Sequence, residues 1–101
     1  MVENGYEISG IQIKSTAKCF CPLGKDWYTN NFEIHFLPDR SIPDYCELDK
    51  WIEKNINGQE LIIEAAVDML HTYLKDTYKP INVTVESHVT DARHSEVMVY
   101  K

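Results

Sequence analysis

The stretch Asn57-Gly58-Gln59-Glu60-Leu61-Ile62-Ile63-Glu64-Ala65-Ala66-Val67-Asp68-Met69-Leu70-His71-Thr72-Tyr73-Leu74 decides the fold. Ile63, Ala66, Val67, Leu70 and Leu74 follow the i, i+3, i+4, i+7 spacing that gathers side chains on one side of an α-helix, so the sequence predicts an amphipathic helix with a single apolar stripe. Asn57 is placed to cap its first amides, with Glu60 answering three residues later. Tyr78-Lys79-Pro80 stops it, because proline cannot continue a helix. Glu60, Glu64, Asp68, His71 and Lys75 form a polar stripe that faces either water or a partner subunit.

On both sides of this helix the period changes to two. Upstream, Ile11, Ile13, Ala17, Cys19 and Cys21 alternate with Gln12, Lys14, Thr16 and Lys18, and Phe32, Ile34 and Phe36 alternate with Asn31, Glu33 and His35. These are two half-buried strands, most simply an antiparallel hairpin closed by the turn Pro22-Leu23-Gly24-Lys25-Asp26. Phe20 is the one large exception to the alternation. Ser41-Ile42-Pro43-Asp44 opens a shorter helix, with Asp44 three residues before Glu47 and Leu48, Trp51 and Ile52 on its buried side. Downstream, Ile81, Val83, Val85 and Val89 alternate with polar residues, Thr90-Asp91-Ala92-Arg93 turns the chain, and Glu96-Val97-Met98-Val99-Tyr100 forms a last strand. The order ββααββ predicts an α+β fold: one mainly antiparallel four-stranded sheet with two helices on one face. Such a sheet leaves two edges and an open side, which oligomers commonly cover.

Composition narrows the functions. The 101 residues, free of repeats and linkers, suit one domain spanning 1–101. A net charge of -6 removes the electrostatic drive toward nucleic acid or an anionic membrane, and no apolar run is long enough to span a bilayer. Met1-Val2-Glu3-Asn4-Gly5 has neither the basic nor the apolar character of a secretory signal, so a cytoplasmic location with reduced thiols is expected. Cys19, Cys21 and Cys46 cannot all pair, and they lack the paired spacing of a zinc site; His35, His71, His88 and His94 are scattered, so no metal site is expected.

Cys21 precedes Pro22 at the mouth of a loop holding Lys25 and Asp26, where a thiol can ionise and meet a substrate; the alternative is a packing cysteine. Glu47 and Glu64 lie early in their helices, where a fixed carboxylate can accept two N–H donors from a purine- or pterin-like ring; the alternative is a solvated helix face.

Cys21-Pro22-Leu23-Gly24-Lys25-Asp26-Trp27, Phe36-Leu37-Pro38, Glu47, Asn57-Gly58 and Ile63-Glu64, in that order, resemble the NADPH-dependent 7-cyano-7-deazaguanine reductases of queuosine biosynthesis, a tRNA-modification family of the tunnelling-fold group. The resemblance implies a ring-forming homo-oligomer with sites between subunits. It implies Cys21 as the nucleophile that adds to a deazapurine nitrile, Asp26 as proton carrier, Glu64 as the anchor of the ring edge, and Glu47 as a second ring or cofactor contact. It implies NADPH as cofactor.

The departures are specific. The family's Cys-Pro-x-Thr-Gly-x-Pro-Asp-Phe loop is two residues longer, and Cys19, seven residues before Asp26, matches its Cys-to-Asp spacing without a gap, which makes Cys19 an alternative nucleophile. Leu48-Asp49-Lys50-Trp51-Ile52 replaces the family's basic Ser-Lys-Ser-Leu-Lys, and Ile63 replaces the His before the long-helix Glu. These changes admit three further readings: a cofactor-independent nitrile-to-amidine transferase of the same fold, a non-catalytic purine- or pterin-binding protein, and an interaction domain.

Overall fold

The computed structural model describes residues 2–101. The hairpin forms as the alternation predicts, from β2 (Ile11–Cys21) and β3 (Asp26–Leu37), with β1 (Val2–Glu3) before it and β4 (Ser41–Ile42) after it; α1 (Tyr45–Asn55), α2 (Ile63–Tyr78), β5 (Asn82–Val89) and β6 (Val97–Tyr100) follow. The main sheet has the order β2-β3-β5-β6 and every pairing in it is antiparallel; β1 and β4 make a separate two-stranded ribbon. α2 packs over β5 and β6 and α1 over β2, all on one face. The fold is α+β, as the periodicities require.

The predicted stripe of α2 is the centre of the core. Ala66, Val67, Leu70 and Leu74 are buried against Phe32, Ile34, Phe36, Val83 and Val85 of the sheet. Leu48 and Ile52 of α1 join them, and Trp51 stacks on Tyr73 of α2 with ring centroids 4.1 Å apart. Phe20 breaks the alternation because it belongs to the other face, where it meets Trp27, its cross-strand partner, edge-on at 5.5 Å.

Three local expectations are corrected. First, β3 begins at Asp26 rather than near Phe32: Cys21 pairs with Asp26, and the turn is only 22–25, closed by the Lys25 N–H donating to the Cys21 carbonyl at 2.8 Å. Second, Asn57 does not cap α2, which starts at Ile63 after an uncapped Ile62 and continues to Tyr78. Residues 57–61 run instead along the edge of β2. The Asn57 Oδ1 accepts the Lys18 N–H at 2.8 Å, Gly58 N–H donates to the Lys18 carbonyl, Phe20 N–H donates to the Gln59 carbonyl, and Leu61 N–H donates to the Phe20 carbonyl. The unpaired edge of β2 draws the segment out of the helix because its backbone groups need partners. Third, Ser41-Ile42 pairs with Val2-Glu3, so α1 starts later, at an Asp44 cap whose carboxylate accepts the Cys46 and Glu47 N–H groups. Among the described residues no helix is long and apolar enough to cross a membrane.

Candidate functional site

Antiparallel order brings three segments to one end of the sheet: the β2–β3 turn, the β5–β6 turn and the start of α2. They enclose a cavity of about 400 Å³ lined by Cys21, Asp26, Trp27, Ile63, Glu64, Arg93 and His94, among others. Three residues singled out from the sequence, Cys21, Asp26 and Glu64, therefore share one hollow. A larger groove of about 700 Å³ crosses β2 beside Lys14, Asp49 and His88, but it contains none of them.

Cys21 is half-buried at the last position of β2, and the tight turn aims the Gly24 N–H at its sulfur at 3.4 Å. Asp26, opposite Cys21 in the register, holds the Arg93 guanidinium at 2.7 Å through Oδ2 and accepts the Trp27 N–H through Oδ1 at 2.8 Å. Arg93 reaches it because its loop is pinned to β3: the Asp91 carboxylate accepts the Thr29 N–H at 2.9 Å, a bond that holds its pKa below the ordinary value. Trp27, nearly half exposed, and Leu23 give the cavity mouth an apolar surface, while Glu64 projects from the first turn of α2.

Cys19 lies elsewhere. It is fully buried on the helix-facing side of β2, where its thiol donates to the Ile56 carbonyl at 3.2 Å and Asn30 donates to its sulfur at 3.4 Å. Burial pushes its pKa up, so the thiol stays protonated. Asn30 is itself buried and accepts a hydrogen bond from Ser87 at 2.9 Å, so Cys19 belongs to a satisfied polar cluster of the core. Glu47 is not part of the Cys21 cavity either. It sits in the first turn of α1, near Tyr78 at the far end of α2 from Glu64. α2 has 16 residues, which separates its two ends by roughly 22–24 Å at 1.5 Å per residue. Within α2's polar stripe, Asp68 is bound by Lys101 and His71 meets the Val83 carbonyl at 3.2 Å, so the middle of the stripe is used within the chain.

Arg93 and His94 were not singled out from the sequence, where 90–93 reads only as a turn. A signal existed: in an antiparallel β2-β3-β5-β6 sheet the turn after β5 must return to the same end as the turn after β2. It needed the strand order, which one sequence does not supply.

No family model matches the chain, and no curated protein matches it. Among solved structures it superposes on one described as the archaeosine synthase QueF-Like in the apo form, with a TM-score of 0.84 at 20% sequence identity, over 93% of this chain and 92% of that one. At that identity the likeness establishes the fold, and the chain has the fold of that protein along nearly its whole length.

Proposed function

We propose that the chain is a cytoplasmic enzyme of the queuosine and archaeosine type of tRNA modification, acting on a deazapurine nitrile rather than on RNA itself. The observation that carries this reading is the convergence of Cys21, Asp26 and Glu64 on one cavity from three separated parts of the sequence. It is supported by the shared fold with a protein described as an archaeosine synthase.

The chemistry follows from the groups present. Trp27 and Leu23 offer an apolar face to a planar ring, and the Glu64 carboxylate accepts N–H donors at its edge. Cys21 sulfur bonds to the nitrile carbon as one C–N π bond opens; Asp26 takes the thiol proton and returns it to the nitrogen, giving a covalent thioimide. Attack by ammonia on that carbon then yields an amidine and releases the thiol.

The residues of α1 do not fit the phosphates of NADPH. In place of a basic run, Leu48 is buried in the core, Trp51 is stacked on Tyr73, and Lys50 and Lys54 are interspersed with Glu47, Asp49 and Glu53. The nitrile-to-amidine route is therefore favoured over reduction. In this reading the exposed mouth of the cavity, with Leu23 more than four-fifths exposed, is completed by a neighbouring copy in a homo-oligomer.

Calorimetric titration with 7-cyano-7-deazaguanine tests ring recognition. Glu64→Gln is expected to weaken binding by about 10- to 100-fold, the loss of roughly 1.5–3 kcal/mol for hydrogen bonds to a charged group. Unchanged affinity would remove Glu64 from the site. Mass analysis of the product in the presence of ammonium distinguishes amidine formation from an inert adduct, and oxidation of added NADPH would reinstate reduction.

A further inference from the structure

The face of the sheet turned away from the helices carries a second constellation. Glu33 of β3 stands directly opposite Glu86 of β5 in the strand register, and His35, two residues beyond Glu33, projects on the same side. The His35 Nε2 lies 3.4 Å from Glu33 Oε1 and 3.8 Å from Glu86 Oε1, and one donor atom from each residue falls within 4.8 Å of the others. Two glutamates face to face across strands repel each other. Lys14 is the β2 register partner of Glu33, yet among the described residues the basic side chain beside both glutamates is the His35 imidazole.

We propose that Glu33, His35 and Glu86 bind a divalent first-row metal ion of the zinc type. The donor set is mixed, one imidazole nitrogen and two carboxylates, which suits zinc better than the all-oxygen sites of calcium or magnesium. The spacing is compatible. Ligands 2.0–2.2 Å from a tetrahedral ion stand roughly 3.4 Å from one another; His35 already lies 3.4 and 3.8 Å from the two carboxylates, and the set, whose donor atoms all fall within 4.8 Å, closes on an ion by side-chain movement. Gln12, the β2 partner of His35, donates its amide to Glu33 Oε1 and so orients one ligand from outside, the role that outer groups play in metal sites. Three protein ligands leave a fourth position for water. The ion would tie β3 to β5 at their most repulsive point and stabilise the fold by linkage. The site is separate from the Cys21 cavity, none of whose lining residues it shares. The sequence conceals it because Glu33 and His35 form only a Glu-x-His pair and Glu86 lies 51 residues beyond His35.

Zinc chloride titrated into the full chain by calorimetry tests the proposal, with Cys21→Ser/Cys46→Ser as background to remove the accessible thiols. One equivalent bound in the micromolar range is expected, with at least tenfold weaker binding in His35→Gln and in the near-isosteric Glu86→Gln. Because a variant can misfold, imidazole resonances of the otherwise unaltered background chain give a second readout: zinc is expected to shift His35 and leave His88 and His94 in place. Binding lost with the two cysteines, binding that shifts His88 or His94 instead, or no binding at millimolar zinc would each overturn the assignment.

Discussion

Cys19 and Cys21 are two residues apart on one strand and point to the same side of it, yet they meet opposite surroundings. Cys19 is sealed by Asn30 and the Ile56 carbonyl, whereas Cys21 stands where the strand ends and the sheet no longer has α1 above it. Alternation alone makes the two equivalent, which is why the sequence leaves the nucleophile open; the difference comes from what packs on the strand. The reactivity order is therefore expected to be Cys46 and Cys21 before Cys19. Iodoacetamide labelling of the folded chain, followed by mass mapping, is expected to modify the first two within minutes and Cys19 only in denaturant. Modification of Cys19 at a comparable rate would contradict its placement in the core. Glu64 was legible as a candidate because it opens the helix whose apolar stripe is plain in the sequence. Arg93 was not, because an arginine in a polar turn gives no local sign that a carboxylate 67 residues earlier will bind it.

At the scale of elements, the strands and the apolar stripe of α2 were readable because burial imposes periods of two and 3.6 on the residue pattern. Segment 57–61 was not, because its conformation is set by the edge it docks on. Asn57 and Gly58 look like the start of a helix, and both are in fact used to hold β2. Gly58 has φ of 78°, in the left-handed region, and its N–H reaches the Lys18 carbonyl at 2.6 Å. A side chain there meets open space, so the cost of substitution is conformational alone. Gly58→Ala is expected to destabilise the chain by about 1–2 kcal/mol, read as a lower midpoint in denaturant unfolding with an unchanged slope. A stabilised variant would mean that the segment does not hold this conformation. The same docking fixes the chain just before α2: the Leu61 N–H donates to the Phe20 carbonyl and the Tyr28 hydroxyl donates to the Leu61 carbonyl.

The whole molecule is long and thin. Its extents are 45 × 23 × 17 Å and its radius of gyration is 13.9 Å, against about 13 Å for a typical domain of this length. The shape reflects two layers, with one sheet face left without a helix and β6 exposing Met98 and Tyr100 at the edge. An edge of this kind is ordinarily paired or covered. Sedimentation velocity is expected to show a closed homo-oligomer at micromolar concentration, and a monomer across the working range would contradict the proposal that a neighbouring copy completes the cavity mouth. The fold class was legible at this scale from the element order alone. Assembly was not, since nothing in one chain's pattern states whether an edge meets a copy.

The central claim is that Cys21 adds to a nitrile held by its own cavity. Intact-protein mass spectrometry after incubation with 7-cyano-7-deazaguanine tests it most directly. An increase of one ligand mass per chain is expected, mapped to Cys21 and absent in Cys21→Ala, with Cys19→Ala still forming the adduct if it folds. No adduct on the native chain, or one that persists in Cys21→Ala, would contradict the claim.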